Sequence, residues 1–330
     1  MPMESSTVTP SVCPVELSIV VPLYNEFQNL DCFFRRLFAV LQRLELTFEV
    51  ICVDDGSTDN TLPGLLEYLR TQPSLKVINL SRNFGKETAL TAGLDYAEGA
   101  AVVPLDADLQ HPPELIEEFV EKWKKGYDVV YATCGSAQAG PLMKRATRRM
   151  FYWFLGHVAE IRIPSDTGDF RLLDRRVVDA LKRFPERTRF MKGLFAWVGF
   201  KQTAVFYDAQ PRHAGVSKWN YWQLWNLALE GVTSFSSFPL KVWSYLGVTV
   251  SLCAVLYAAI ITIRTLALGI ELPGYASLMV VILFMGGIQL ITLGVLGEYL
   301  SRIYYETKGR PLYIVRESYG FNLHNRKRAG

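Results

Sequence analysis

The sequence predicts an α/β domain on a mostly parallel sheet, followed by helices lying along a membrane and a pair crossing it. Between residues 15 and 133, apolar strand-like runs alternate with amphipathic helix-like runs, the rhythm of β-α-β units. Two later stretches, Val242 to Ile263 and Tyr275 to Gly297, hold no charged residue. Charge is also divided: residues 1–133 carry 10 basic and 20 acidic side chains, and residues 134–330 carry 25 and 12. An acidic front and a basic rear mean that the rear faces something anionic.

The length of 330 residues, half of them hydrophobic, allows two domains at about 100–200 residues each. A mean hydropathy of +0.13 excludes a disordered chain, and 24 glycines with 16 prolines exclude a collagen-like one. Taken in order, VELSIVVPLYN reads as a strand, NLDCFFRRLFAVLQRL as a helix and FEVICVDDGS as a strand. NTLPGLLEYLRTQ, KVINL, FGKETALTAGLDYAEG, AAVVPLDAD, PPELIEEFVEKWKKG and DVVYAT continue the alternation. Strands this continuously apolar are covered on both faces. In such sheets ligands sit beyond the carboxyl ends of the strands. The polar clusters Tyr24-Asn25-Glu26, Asp54-Asp55-Gly56-Ser57 and Asp106-Ala107-Asp108 fall there.

Other chemistries lack their motifs. No GxGxxG follows a strand, Gly85-Lys86 lacks the rest of a phosphate loop, and there is no GxSxG elbow. The five cysteines show no CxxC spacing and read as reduced thiols of a cytosol-facing protein. The four histidines form no HExxH. What remains is Asp106-x-Asp108 at a strand end, with Gln110 after it. Such a carboxylate pair suits one hard divalent cation, which takes one or two carboxylates plus substrate phosphates.

Each charge-free stretch is long enough to cross a hydrocarbon layer of about 30 Å. This favours a phospholipid surface over nucleic acid as the anionic partner. Lys218 and Lys241 lie on one side of the pair, and Arg302, Lys308, Arg310 and Arg316 on the other. The positive-inside rule then makes both termini cytoplasmic and the protein multi-pass in the inner (plasma) membrane. Trp219, Trp222 and Trp225 recur every three residues before the first span and mark a helix in the headgroup zone. Lys144, Arg145, Arg148 and Arg149, followed by Phe151 to Phe154, form a second interfacial candidate. The expected divisions are a flexible 1–14, a catalytic domain over 15–217, a juxtamembrane amphipathic helix over 218–240, two spans over 241–301 and a cytoplasmic tail over 302–330. Within that tail, RPLYIVRES reads as a strand able to pair with a second copy, giving a homo-oligomer.

At IVVPLYNE (19–26), VDDGSTDNT (53–61), NLSRNFGKETALTAGLDYA (79–97), PLDADLQHPPE (104–114), DTGDFRLLDRR (166–176) and PRHAGVSKW (211–219), the chain resembles glycosyltransferase family 2. Within that family it resembles the polyisoprenyl-phosphate glycosyltransferases. The resemblance implies a GT-A fold and a nucleotide-sugar donor. Pro22, Tyr24, Glu26, Val53 and Asp55 would lie around the base and ribose. Asp106, Ala107, Asp108 and Gln110 match the metal-diphosphate site, taking Mg²⁺ or Mn²⁺ on Asp106, Asp108 and Gln110. Arg212 and Lys218 match basic residues of a phosphate-contacting loop, and Asp169 matches the proposed base or acceptor organiser. Cys134 and Ala209 stand where arginine is common in such enzymes.

The implied reaction moves a hexose onto a polyprenyl phosphate with inversion. The acceptor's second ionisation lies near pH 6, so at neutral pH it needs little deprotonation. Asp169 is then an organiser more than a strong base. Leaving-group stabilisation falls to the cation, Arg212 and Lys218. UDP-glucose with undecaprenyl phosphate is the first reading. GDP-mannose with dolichol phosphate is the alternative, and a membrane-anchored nucleotide-sugar-binding protein without turnover is the reading of another class. A processive synthase would carry QxxRW, which is absent from the sequence.

Overall fold

The computed structural model describes residues 15–134, 167–184, 186–187, 189, 191–207, 238–268 and 274–321. Residues 1–14, both interfacial tryptophan and arginine segments, and Arg212 and Lys218 lie outside them. The chain divides into two units, the first holding residues 1–152, 163–219 and 310–330, the second 153–162 and 220–309.

The first unit follows the expected alternation: β1 (Leu17–Leu23), α1 (Leu30–Arg43), β2 (Phe48–Asp54), α2 (Thr61–Thr71), β3 (Leu75–Leu80), α3 (Lys86–Tyr96), β4 (Ala101–Pro104) and α4 (Leu115–Lys124). Then come β5 (Val129–Cys134), β6 (Thr167–Asp174), α5 (Arg175–Lys182), α6 (Met191–Trp197), β7 (Gln202–Tyr207) and, late in the chain, β8 (Val315–Tyr319). One eight-stranded sheet results, in the order β7-β5-β6-β4-β1-β2-β3-β8. β4, β1, β2 and β3 run parallel. β6 is antiparallel to both β4 and β5, and β7 is parallel to β5.

The helices form because their apolar positions share a face. α1 buries Leu30, Phe33, Phe34, Leu37, Phe38, Val40 and Leu41, a helical period. Each fully buried side chain among them stabilises the fold by about 1.5–3 kcal/mol. Asp31 in its first turn and Arg43 in its last suit the helix dipole. α3 packs so closely that a Cβ on Gly93 would lie 2.1 Å from Val20 Cγ1. At the amino ends of the strands the buried Glu49 accepts from Ser18 Oγ at 2.5 Å and pairs with Lys76 at 2.6 Å. A buried carboxylate is tolerable only with such partners.

β6 enters the sheet between β4 and β5. The strand read in RPLYIVRES is present and already has a partner within the chain. It is β8, and it pairs antiparallel with β3 of its own chain, Val77 opposite Tyr319 and Ile78 opposite Ser318. Tyr313 Oη just before it donates to Asp95 Oδ2 at 2.9 Å, and Phe321 just after it packs edge-on against Tyr96.

The second unit contains α7 (Phe238–Leu268) and α8 (Tyr275–Thr307). These helices cover the two charge-free stretches and run past them. Among the described residues one segment, Phe284–Thr307, is long and apolar enough to cross a membrane, with none of its most apolar window buried.

Candidate active site

The carboxyl ends of β1, β2 and β4 lie side by side because the strands are parallel and in register, Leu23 opposite Asp54 and Val20 opposite Pro104. Since β6 runs the other way, its first residues, Thr167 to Asp169, arrive at that same edge. This reversal brings Asp169 to Asp106.

Asp54 and Asp55 are both buried. The N–H of Ser57 donates to Asp54 Oδ1 at 3.3 Å. Asp55 accepts the N–H of Phe84 at 2.7 Å and of Gly85 at 2.8 Å. Burial pushes both carboxyls above their ordinary range, opposed at Asp54 by Ser57 and at Asp55 by the two amides and Arg82. The turn after them is tight: Gly56 has φ +68, and a Cβ there would meet Arg82 C at 2.6 Å. The 82–85 loop is therefore clamped against the end of β2.

The clamp sets the start of α3. Lys86 is its first residue, and its Nζ lies 2.8 Å from Asp106 Oδ2 and 2.8 Å from Asp169 Oδ2. Burial works against the Lys86 charge, but the two carboxylates outweigh it and hold the ammonium well above its ordinary value.

The Asp106–Gln110 turn is held by the Gln110 N–H, which donates to Asp108 Oδ1 at 3.1 Å. Leu109 inside it is buried and has φ 59, a left-handed conformation costly for a branched side chain. His111 follows, its Nδ1 2.7 Å from Tyr207 Oη and its ring against Phe170. Burial lowers its pKa, opposed by the charges of Asp106, Asp108 and Asp169 and assisted by Lys86. Those four charged groups therefore all act on one imidazole.

The remaining expected residues are spread along the edge. Pro22 is opposite Val53 in the β1–β2 ladder. Val53 is fully buried, so its side chain faces the core. Tyr24 is exposed. Glu26 Oε2 accepts from Asn29 Nδ2 at 2.5 Å, and Ala107 is buried. Cys134 ends β5, and Ala209 lies outside the described residues. Among the described residues no three His, Cys, Asp or Glu side chains gather into a metal cage.

Sequence reasoning passed over Lys86, His111 and Arg171. Arg171 is buried, its Nη2 donates to the Gly168 carbonyl at 2.6 Å, and its guanidinium lies 4.1 Å over the Phe195 ring. Burial pulls its pKa down to about 10, against the charges of Asp169 and Glu87. It braces the start of β6 beside Asp169. The signal for Lys86 was its place directly after the 82–85 loop, one position past a glycine.

Comparison with known proteins agrees with this architecture. Residues 18–182 match the model of glycosyl transferase family 2, and residues 238–303 match that of the GtrB C-terminal hairpin. An uncharacterized glycosyltransferase of Synechocystis sp. is 58% identical over 306 residues, 93% of this chain and 96% of that protein. A second, from Bacillus subtilis, is 46% identical over 93% of this chain and 95% of its own length. The SfII prophage-derived bactoprenol glucosyl transferase of Shigella flexneri is 45% identical over 310 residues, 93% of this chain and all of that protein. With its GT-A-like sheet and these matches, the chain belongs to glycosyl transferase family 2.

Proposed function

We propose that this glycosyltransferase moves glucose from UDP-glucose onto polyprenyl (undecaprenyl) phosphate at the inner membrane, with inversion. The acceptor reading is carried by the 45% identity to a bactoprenol glucosyl transferase along its full length. That likeness favours it over dolichol-phosphate mannosylation and over a binding protein without turnover. α7 and α8 then form the two-span anchor, with the catalytic domain and both termini cytoplasmic.

The donor set fits a hard cation. Asp106 and Asp108 offer carboxylates, Gln110 a neutral oxygen, and a cationic ammonium already rests on Asp106. Mg²⁺ or Mn²⁺ there would complete its shell with donor phosphates. Asp106, Asp108 and Gln110 would hold the cation, which would supply positive charge to the departing nucleotide diphosphate. Pro22, Tyr24, Glu26 and Asp55 border the nucleoside end. Ala107, small and buried, lets the diphosphate approach the backbone. Asp169, beside the Gly168 carbonyl that Arg171 braces, orients the acceptor phosphate toward the anomeric carbon. Arg212 and Lys218 supply positive charge to the phosphates.

The test is a panel of radiolabelled UDP- and GDP-sugars with membranes supplying polyprenyl phosphate. Lipid-phase label from UDP-glucose is the expected result; label from GDP-mannose alone, or from no donor, overturns it.

A further inference from the structure

We propose that Lys86 is a tethered counter-cation that occupies the Asp106 carboxylate before loading and competes with the divalent cation for it. The inference rests on the metal-dependent reading above. Its ammonium is shared evenly, 2.8 Å from Asp106 Oδ2 and 2.8 Å from Asp169 Oδ2. It places one positive charge between two carboxylates at the ends of neighbouring strands. Its placement is also built in rather than incidental. Asp55 holds the amides of Phe84 and Gly85, Gly85 has φ 98, and Lys86 follows as the first residue of α3. A lysine in a helix's first turn opposes the helix dipole, so its position there answers to the carboxylates.

A divalent cation on Asp106 and an ammonium on the same oxygen are like charges within contact range and exclude one another. Loading therefore releases Lys86 from Asp106 while Asp169 retains it. The loaded site keeps a positive charge beside Asp169, where an anionic acceptor has to approach. Before donor arrives, the same lysine keeps the site from binding free cation tightly.

The experiment measures Mn²⁺ binding by electron paramagnetic resonance to the full-length protein in detergent, with and without UDP-glucose. Without donor, Lys86→Met should bind Mn²⁺ about tenfold or more tightly than wild type, since one competing unit charge is gone. Lys86→Gln should do the same if the Met variant folds poorly, and Lys86→Arg, which keeps the charge, should bind as weakly as wild type. A loss of packing alone cannot raise affinity. If wild type binds Mn²⁺ with UDP-glucose but Lys86→Met and Lys86→Gln bind no more tightly without it, the counter-cation role is overturned alone. If neither wild type nor the variants bind Mn²⁺ under any condition, the metal reading of the site falls and takes this inference with it.

Discussion

Asp55 accepts the backbone N–H of Gly85 at 2.8 Å, and the next residue carries the ammonium that joins Asp106 to Asp169. The end of β2 and the Asp106–Asp169 pair are thus joined through one short loop. Asp55→Ala should strip the acceptor from the Phe84 and Gly85 amides and cost about 2–3 kcal/mol, read as a fall in Tm. Asp55→Asn, which keeps one acceptor oxygen, should cost less. Equal Tm values for wild type and Asp55→Ala would show that the loop is held by other contacts.

Asp108→Ala should abolish metal-dependent transfer while leaving the circular dichroism spectrum and Tm close to wild type. Asp108 Oδ1 accepts the Gln110 amide within the turn, a bond worth about 1 kcal/mol. Full turnover in excess Mg²⁺ or Mn²⁺ would remove Asp108 from the cation's shell.

Asp169→Asn should lower kcat less than Asp108→Ala does. The acceptor phosphate is largely dianionic above about pH 6, so little proton transfer is asked of this carboxylate. The pH–rate profile of the variant should keep the rise near pH 6 that belongs to the phosphate. A profile whose acidic limb disappears with Asp169 would make it the base.

Lys218→Ala should lower kcat more than it raises the donor KM, because leaving-group charge grows only in the transition state. Equal changes in kcat/KM and KM, with kcat untouched, would identify a ground-state binder.

Tyr313→Phe should remove a donor from the Asp95 carboxylate. Burial already pushes that carboxyl up, against the Tyr313 hydrogen bond and the charges of Lys182 and Arg189. The loss should cost about 1–3 kcal/mol and speed hydrogen exchange of the β8 amides over 315–319. Unaltered exchange would mean that the ladder to β3 holds the tail unaided.

Much of this was legible in the sequence because it is local. The β1 to α4 alternation follows from apolar periodicity, and the Asp54-Asp55 and Asp106-Asp108 clusters mark strand ends by composition alone. The direction of β6 was not legible, since no local pattern distinguishes a parallel from an antiparallel buried strand. That direction decides where Asp169 goes. Lys86 looked like a failed phosphate loop because its partners lie 20 and 83 positions away. β8 looked like an unpaired edge strand because its ladder partner β3 precedes it by most of the chain. Glu49 gave no sign of its burial, which depends on Ser18 and Lys76 from neighbouring strands.

The late return of β8 to β3 makes the helical pair an insertion into the sheet's own sequence and not an appendage at its end. A water-soluble version of the catalytic domain cannot be made by stopping translation before Phe238. It would leave β3 with a bare ladder, the kind of surface on which chains stack edge to edge. The workable excision deletes the helices and splices the segment from Arg310 to Phe321 back through a flexible linker.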